Sequence, residues 1–70
     1  MQLHEKIKNI RKLKNWSQEE IADKLGITAS GYGSIERGDT DVNISRLKDI
    51  AELFGMDLSE LFDSQEKIYL

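Results

Sequence analysis

The chain has no cysteine, no proline, a single histidine and few aromatic residues. The missing cysteine excludes disulfides, thiolate zinc sites and a cysteine nucleophile. No apolar run approaches the ~18 residues that a membrane span needs. The start carries no signal-peptide pattern. A soluble protein of the reducing cytoplasm is the expectation. No nucleophile and base stand in a catalytic arrangement, no residues have metal-ligand spacing, and no phosphate-binding loop is written in the chain. An enzyme, a cofactor and a metal are therefore not expected. Seventy residues make one small domain, which buries only about 60% of its unfolded surface, so pairing with a second chain is a reasonable expectation.

Charge is present but unevenly placed. The formal net charge is −3. Residues 1–16 carry +4, residues 17–38 carry −2 and residues 39–70 carry −5. The basic charge lies on Lys6, Lys8, Arg11, Lys12 and Lys14. A nucleic-acid partner needs a local patch of one sign rather than a basic protein overall. Screening over about 8 Å at physiological salt keeps the distant acidic half from cancelling such a patch.

Five helices are readable and no strand is strong. Leu3, Ile7, Ile10 and Leu13 recur at helical spacing and predict an apolar stripe on the first helix, which Asn15 ends. Ser17 and Glu20 form an S-x-x-E capping box, with Trp16 and Ile21 spaced as a hydrophobic staple. Ile21, Ala22 and Leu25 are the expected buried face of the second helix. Gly26 stops it, because a positive φ is cheap only for glycine. Thr28 caps a third helix, Ile27 and Tyr32 form its staple, Tyr32 and Ile35 face inward, and Gly38 closes it. Only Ile27 and Thr28 separate the hinge glycine from this helix, so the two helices cross steeply. Asn43 caps a fourth helix whose expected inner face is Ile44, Leu47, Ile50, Ala51 and Phe54. After Gly55, Asp57 and Glu60 make another capping box for a short fifth helix carrying Leu58, Leu61 and Phe62.

Gln18, Ile21, Ala22, Leu25, Gly26, Ile27, Ile35, Glu36 and Gly38, followed by the run from Ile44 to Phe62, resemble the phage-repressor, Cro and XRE type of helix-turn-helix domain. The resemblance covers roughly residues 3–62. It implies an all-α, five-helix, lambda-repressor-like domain of bacterial or phage origin that binds operator DNA, usually as a dimer. The domain would span 1–63, with the helix-turn-helix at 17–38 and a tail at 64–70 as a possible dimer contact. By the family's pattern Gln18 would contact a phosphate. Thr28, Ala29, Ser30 and Ser34 would meet base edges or the adjacent backbone. Arg37 and the loop from Thr40 to Asn43 would lie along the sugar-phosphate chain. The pattern also pairs Arg11 with Glu36. The chain departs from it with Tyr32 in place of Ile or Val, Val42 in place of a proline, and Asp39 and Asp41 in a loop that is often basic.

The expected function is that of a DNA-binding transcriptional regulator, most simply a repressor. A protein-binding module of the same fold is the other reading, such as an antitoxin whose acidic half covers a toxin. Glu36 is read as the ion-pair partner of Arg11 rather than as a catalytic carboxylate, and His4 as a surface histidine. The outward face of the third helix is nearly bare: Ala29, Ser30, Gly31, Gly33 and Ser34 offer no long reader on its inner part. Readout then leans on the backbone, water bridges, serine hydroxyls and DNA shape. Gly33 either lets the helix backbone approach the DNA or belongs to a short, frayed helix.

Overall fold

Wherever the sequence writes a cap, the chain begins a helix. The computed structural model describes residues 2–62, so the tail at 64–70 and its expected dimer contact lie outside the described residues. The helices are α1 (Leu3–Leu13), α2 (Gln18–Leu25), α3 (Ala29–Arg37), α4 (Ile44–Phe54) and α5 (Leu58–Phe62). There is no strand among the described residues.

Ser17 Oγ accepts the Glu20 N–H at 3.0 Å, and the Glu20 carboxylate accepts the Ser17 N–H at 2.8 Å. Thr28 Oγ1 accepts from the Gly31 N–H, and Asn43 Oδ1 from the Arg46 N–H. Each such cap satisfies an amide that the helix itself leaves open. At α5 only half of the expected box is seen, with Glu60 accepting the Asp57 N–H. Gly26 sits at φ 73°, where a β-carbon would crowd the following carbonyl. Asn15 takes the same left-handed region (φ 60°) beyond α1.

Ile7, Ile21, Ala22, Tyr32, Ile35, Leu47, Ile50, Ala51, Phe54 and Leu61 form the core. All five helices contribute to it, and α3 lies between α2 and α1. Trp16 stacks on Phe54 with ring centroids 6.4 Å apart, and Lys24 lies over the Trp16 ring. Two expected inward positions, Leu13 and Ile44, are corrected. Leu13 is 66% exposed, because the chain turns at Asn15 and the Trp16 ring, not Leu13, packs over Phe54. Ile44 and Phe62 are also exposed. They line an open apolar groove with Leu3, Val42 and Leu47, at the first turn of α4 and the end of α5.

Two of the five basic residues on α1 point inward, Arg11 in its expected pairing with Glu36 and Lys6 contrary to the expected basic patch. Arg11 is buried against Glu36. Lys6 is buried as well, and its Nζ donates to the Glu60 carbonyl on α5. Burying the aliphatic stem while the ammonium finds a carbonyl is the ordinary way for a lysine to span two helices. Lys8, Lys12 and Lys14 remain exposed.

Candidate nucleic-acid interface

The site is built around one buried acid. Glu36 lies on the inner side of α3 and is 5% exposed. Its Oε2 accepts from Arg11 Nε at 2.6 Å and from the Tyr32 hydroxyl. Its Oε1 accepts from Arg11 Nη2 at 3.2 Å and from Gln18 Nε2 at 3.0 Å. Arg11 Nη1 donates onward to the Trp16 carbonyl at 2.7 Å. The expected pair of Arg11 and Glu36 is therefore present, as part of a network that also holds Tyr32 and Gln18. Burial pushes the Glu36 carboxyl up, but the donors from Arg11, Tyr32 and Gln18 outweigh it and hold the acid below its ordinary range. Burial, reinforced by the charge on Glu36, pushes the Tyr32 phenol well above the ordinary tyrosine range. Arg11 is held still more firmly in its charged form by its bonds to Glu36, against the cost of burial.

Through this network the first residue of α2 is fixed to the middle of α3. Gln18 keeps one amide hydrogen and its carbonyl oxygen for an outside partner, since only the other hydrogen is spent on Glu36. Ser30, Gly31 and Arg37 are exposed on α3, and Ala29 and Ser34 are half-buried. Thr28 uses an oxygen lone pair for its cap, which leaves its hydroxyl hydrogen free to donate. Asn43 likewise caps through Oδ1, leaving its amide nitrogen outward. Thr40 is exposed on the connecting loop.

Gly33 and Arg37 stand differently from what the linear sequence implies. Gly33 is buried. A β-carbon there would stand 3.1 Å from Arg37 Nη1 and 3.7 Å from Gln18 Oε1, so the long side chains of α2 and α3 meet over it. Arg37 folds back along its own helix: Nε donates to Asp39 Oδ2 at 2.9 Å and Nη2 to Ser34 Oγ at 3.1 Å. The face that reads as bare in the sequence thus carries a guanidinium. The structure brings Gln18, Gly33, Ser34 and Arg37 together, sets Thr28, Ala29 and Ser30 along the start of α3, and leaves Thr40 and Asn43 on the loop.

His4 is not a free surface residue. It is half-buried against Gly38, and its Nδ1–H donates to the Glu36 carbonyl at 3.0 Å. Sequence reasoning also missed Arg46, whose Nη1 donates to the Leu25 carbonyl at the end of α2. It missed Asp39 as the partner of Arg37. Opposite charges two residues apart across a helix-ending glycine were the available signal.

A steeply crossed α2–α3 pair, with capped helix starts and polar side chains gathered on the outward face of α3, defines a helix-turn-helix DNA-binding domain. The comparisons agree. The helix-turn-helix family model matches residues 7–61. The chain belongs to this family of DNA-binding transcriptional regulators. It is 31% identical over its whole length to the helix-turn-helix-type transcriptional activator BcrR of Enterococcus faecalis, of which it covers 34%. It is 38% identical over 56 residues to YazB of Bacillus subtilis, an uncharacterized helix-turn-helix-type transcriptional regulator, covering 80% of this chain and 81% of YazB. Among solved structures it is similar to SinR in complex with DNA, described as a master regulator for biofilm formation. The TM-score is 0.78 at 32% identity, over 89% of this chain and all of that one. It is also similar to a SinR–SinI protein complex, with a TM-score of 0.82 at 30% identity, over 93% of this chain and 64% of that chain. The chain spans between a third and three-fifths of the length of the first curated relatives it matches. No helix among the described residues is long and apolar enough to cross a membrane.

Proposed function

We propose that the chain is a sequence-specific transcriptional repressor that binds a near-palindromic operator as a homodimer, with α3 in the major groove. The observation that carries this is the tie between α2 and α3. Gln18 at the start of α2 is bonded to Glu36 of α3, so a phosphate contact and a groove-facing helix are held in one rigid unit. In this reading Gln18 and Thr28 donate to phosphates at helix N-termini, where partial positive charge favours an anion. Ala29, Ser30 and Ser34 meet base edges, Gly33 leaves room for Gln18 and Arg37 to lie over the helix, and Thr40 and Asn43 meet the sugar-phosphate chain from the loop. Two copies would set their third helices in successive major grooves, ~34 Å apart.

Selection of bound duplexes from a random pool, followed by footprinting and gel shift, tests this. Two related half-sites separated by about one helical turn are expected. Recovery of no enriched sequence would remove the proposal.

A second reading, a protein-binding module such as an antitoxin, is favoured by the net −5 of residues 39–70. SinR itself is found in complex with SinI as well as with DNA, so a protein partner and DNA are compatible within one similar protein. A neighbouring toxin gene whose product co-purifies with the chain would support this reading.

A further inference from the structure

We propose that Arg37 is the base-reading side chain of α3, that it selects a guanine in each half-site, and that Asp39 is the residue that positions it. This rests on the DNA-binding reading above and deepens it. It moves Arg37 from the sugar-phosphate rim to the reading face.

The Arg37–Asp39 pair is 61% exposed at both ends. An ion pair in that setting contributes little to stability. Its consequence is where the guanidinium sits. The Asp39 carboxylate takes the Nε–H and the Ser34 hydroxyl takes an Nη2–H. Ser34 holds the side chain toward the N-terminal end of α3, the direction that helical side chains already favour, while Asp39 fixes its Nε–H from beyond Gly38. Its seat is Gly33, four residues earlier on the same face, where any β-carbon would meet Nη1 at 3.1 Å. A glycine inside a helix is destabilising, and here the space it leaves is occupied by the arginine.

The hydrogens left over match one base. With Nε–H and one Nη2–H spent, both Nη1 hydrogens and the second Nη2 hydrogen remain, a paired donor edge. Guanine presents two adjacent acceptors, O6 and N7, on its major-groove edge, and this arginine–guanine pairing is the commonest specific contact. Asp39 also makes the phosphate rim unfavourable for Arg37. Its charge repels phosphate, and it neutralises the guanidinium that would otherwise collapse onto the backbone of any sequence. An arginine held this way adds to discrimination and little to non-specific grip.

The full chain tests this, with operators selected from the random pool and random duplex as reference. Asp39→Asn should tighten binding to random duplex and steepen its salt dependence by about one counterion. It should lower the ratio of selected to random affinity on the order of tenfold, and relax one guanine position per half-site. Asp39→Glu should retain the guanine preference, and Arg37→Lys, with the charge kept, should lose it. Gly33→Ala should melt at or above the wild-type temperature, because only the ends of two long side chains oppose the new methyl, yet lose the same preference. Equal tightening of selected and random DNA by Asp39→Asn would overturn the proposal, as would a Gly33→Ala variant that keeps the guanine. A wild-type chain that binds no duplex in the pool would overturn the DNA-binding reading itself, and this proposal with it.

Discussion

Arg11 Nε and Glu36 Oε2 lie 2.6 Å apart in the interior, joining α1 to α3 across 25 residues of sequence. Replacing a buried pair with apolar residues of matching shape is often neutral, but removing one partner leaves the other charge buried and unpaired. Glu36→Ala should therefore destabilise the domain by about 3–5 kcal/mol. A domain this small has little stability to spare, so the melting temperature should drop sharply. Affinity per folded molecule should fall less, since Gln18 loses an anchor but keeps its place in α2. Thermal melts matched with binding curves corrected for folded fraction check this. An unchanged melting temperature would contradict it.

The same acid predicts a pH dependence of defined sign. Its carboxyl is held below the ordinary range in the folded chain and returns to that range on unfolding. Its contribution to stability is then complete above the ordinary carboxylate range. It is lost as pH falls through the lower, folded value. Glu36→Gln should flatten the fall in urea midpoint over that window. Tyr32→Phe removes one of the donors that keep the acid charged, so the fall should be shallower and end at higher pH, with a loss of about 1–2 kcal/mol at neutrality. Urea titrations from pH 7 to pH 3 on the three chains provide the comparison.

Tyr32 itself titrates in the opposite sense. Burial, with the Glu36 charge beside it, raises its phenol. Its contribution is therefore complete below the ordinary tyrosine value of about 10 and declines above it, as the unfolded chain ionises first. In a Tyr69→Phe background Tyr32 is the only tyrosine. Phenolate absorbance should then appear only together with the loss of helical circular dichroism. Ionisation near pH 10 in a fully helical chain would contradict the geometry.

The hinge gives a backbone prediction. Gly26 sits at φ 73°, with open space around a would-be β-carbon. The cost of Gly26→Ala is thus that of the left-handed backbone itself rather than of a clash with another residue, about 1–2 kcal/mol. Gly26→Asn should recover part of it, since asparagine tolerates the left-handed region. Equal urea midpoints for the alanine and wild-type chains would refute this.

Helix boundaries were legible because caps are local: Ser17 with Glu20, Thr28 and Asn43 satisfy amides within a single turn. The family resemblance led to the Arg11–Glu36 pair. What periodicity could not settle was which flank of a helix meets a neighbour. Lys6 and Leu13 share α1, yet the lysine is buried and the leucine exposed, because a carbonyl on α5 accepts the ammonium and Trp16 covers the far end of the core. The seat of Arg37 was hidden for a similar reason. It depends on Asp39 and Ser34 acting together over Gly33, and no single spacing announces a three-residue arrangement.

The inward turn of Lys6 and Arg11 divides the basic charge of α1 into two roles that salt can separate. Lys8, Lys12 and Lys14 are exposed. Any of them that neutralises a phosphate displaces a counterion, so its replacement by Gln should weaken selected and random DNA alike and lower the salt slope by about 0.9. Lys6→Gln should leave the slope unchanged, because that ammonium is bonded to the Glu60 carbonyl, and should instead lower the melting temperature. Gln18→Ala forms the neutral control. An amide displaces no counterion, so affinity should fall about threefold to tenfold for all sequences, on the scale of one hydrogen bond, at constant slope. Binding isotherms from 50 to 200 mM salt resolve these outcomes. A reduced slope in Lys6→Gln would show that this lysine reaches the DNA after all.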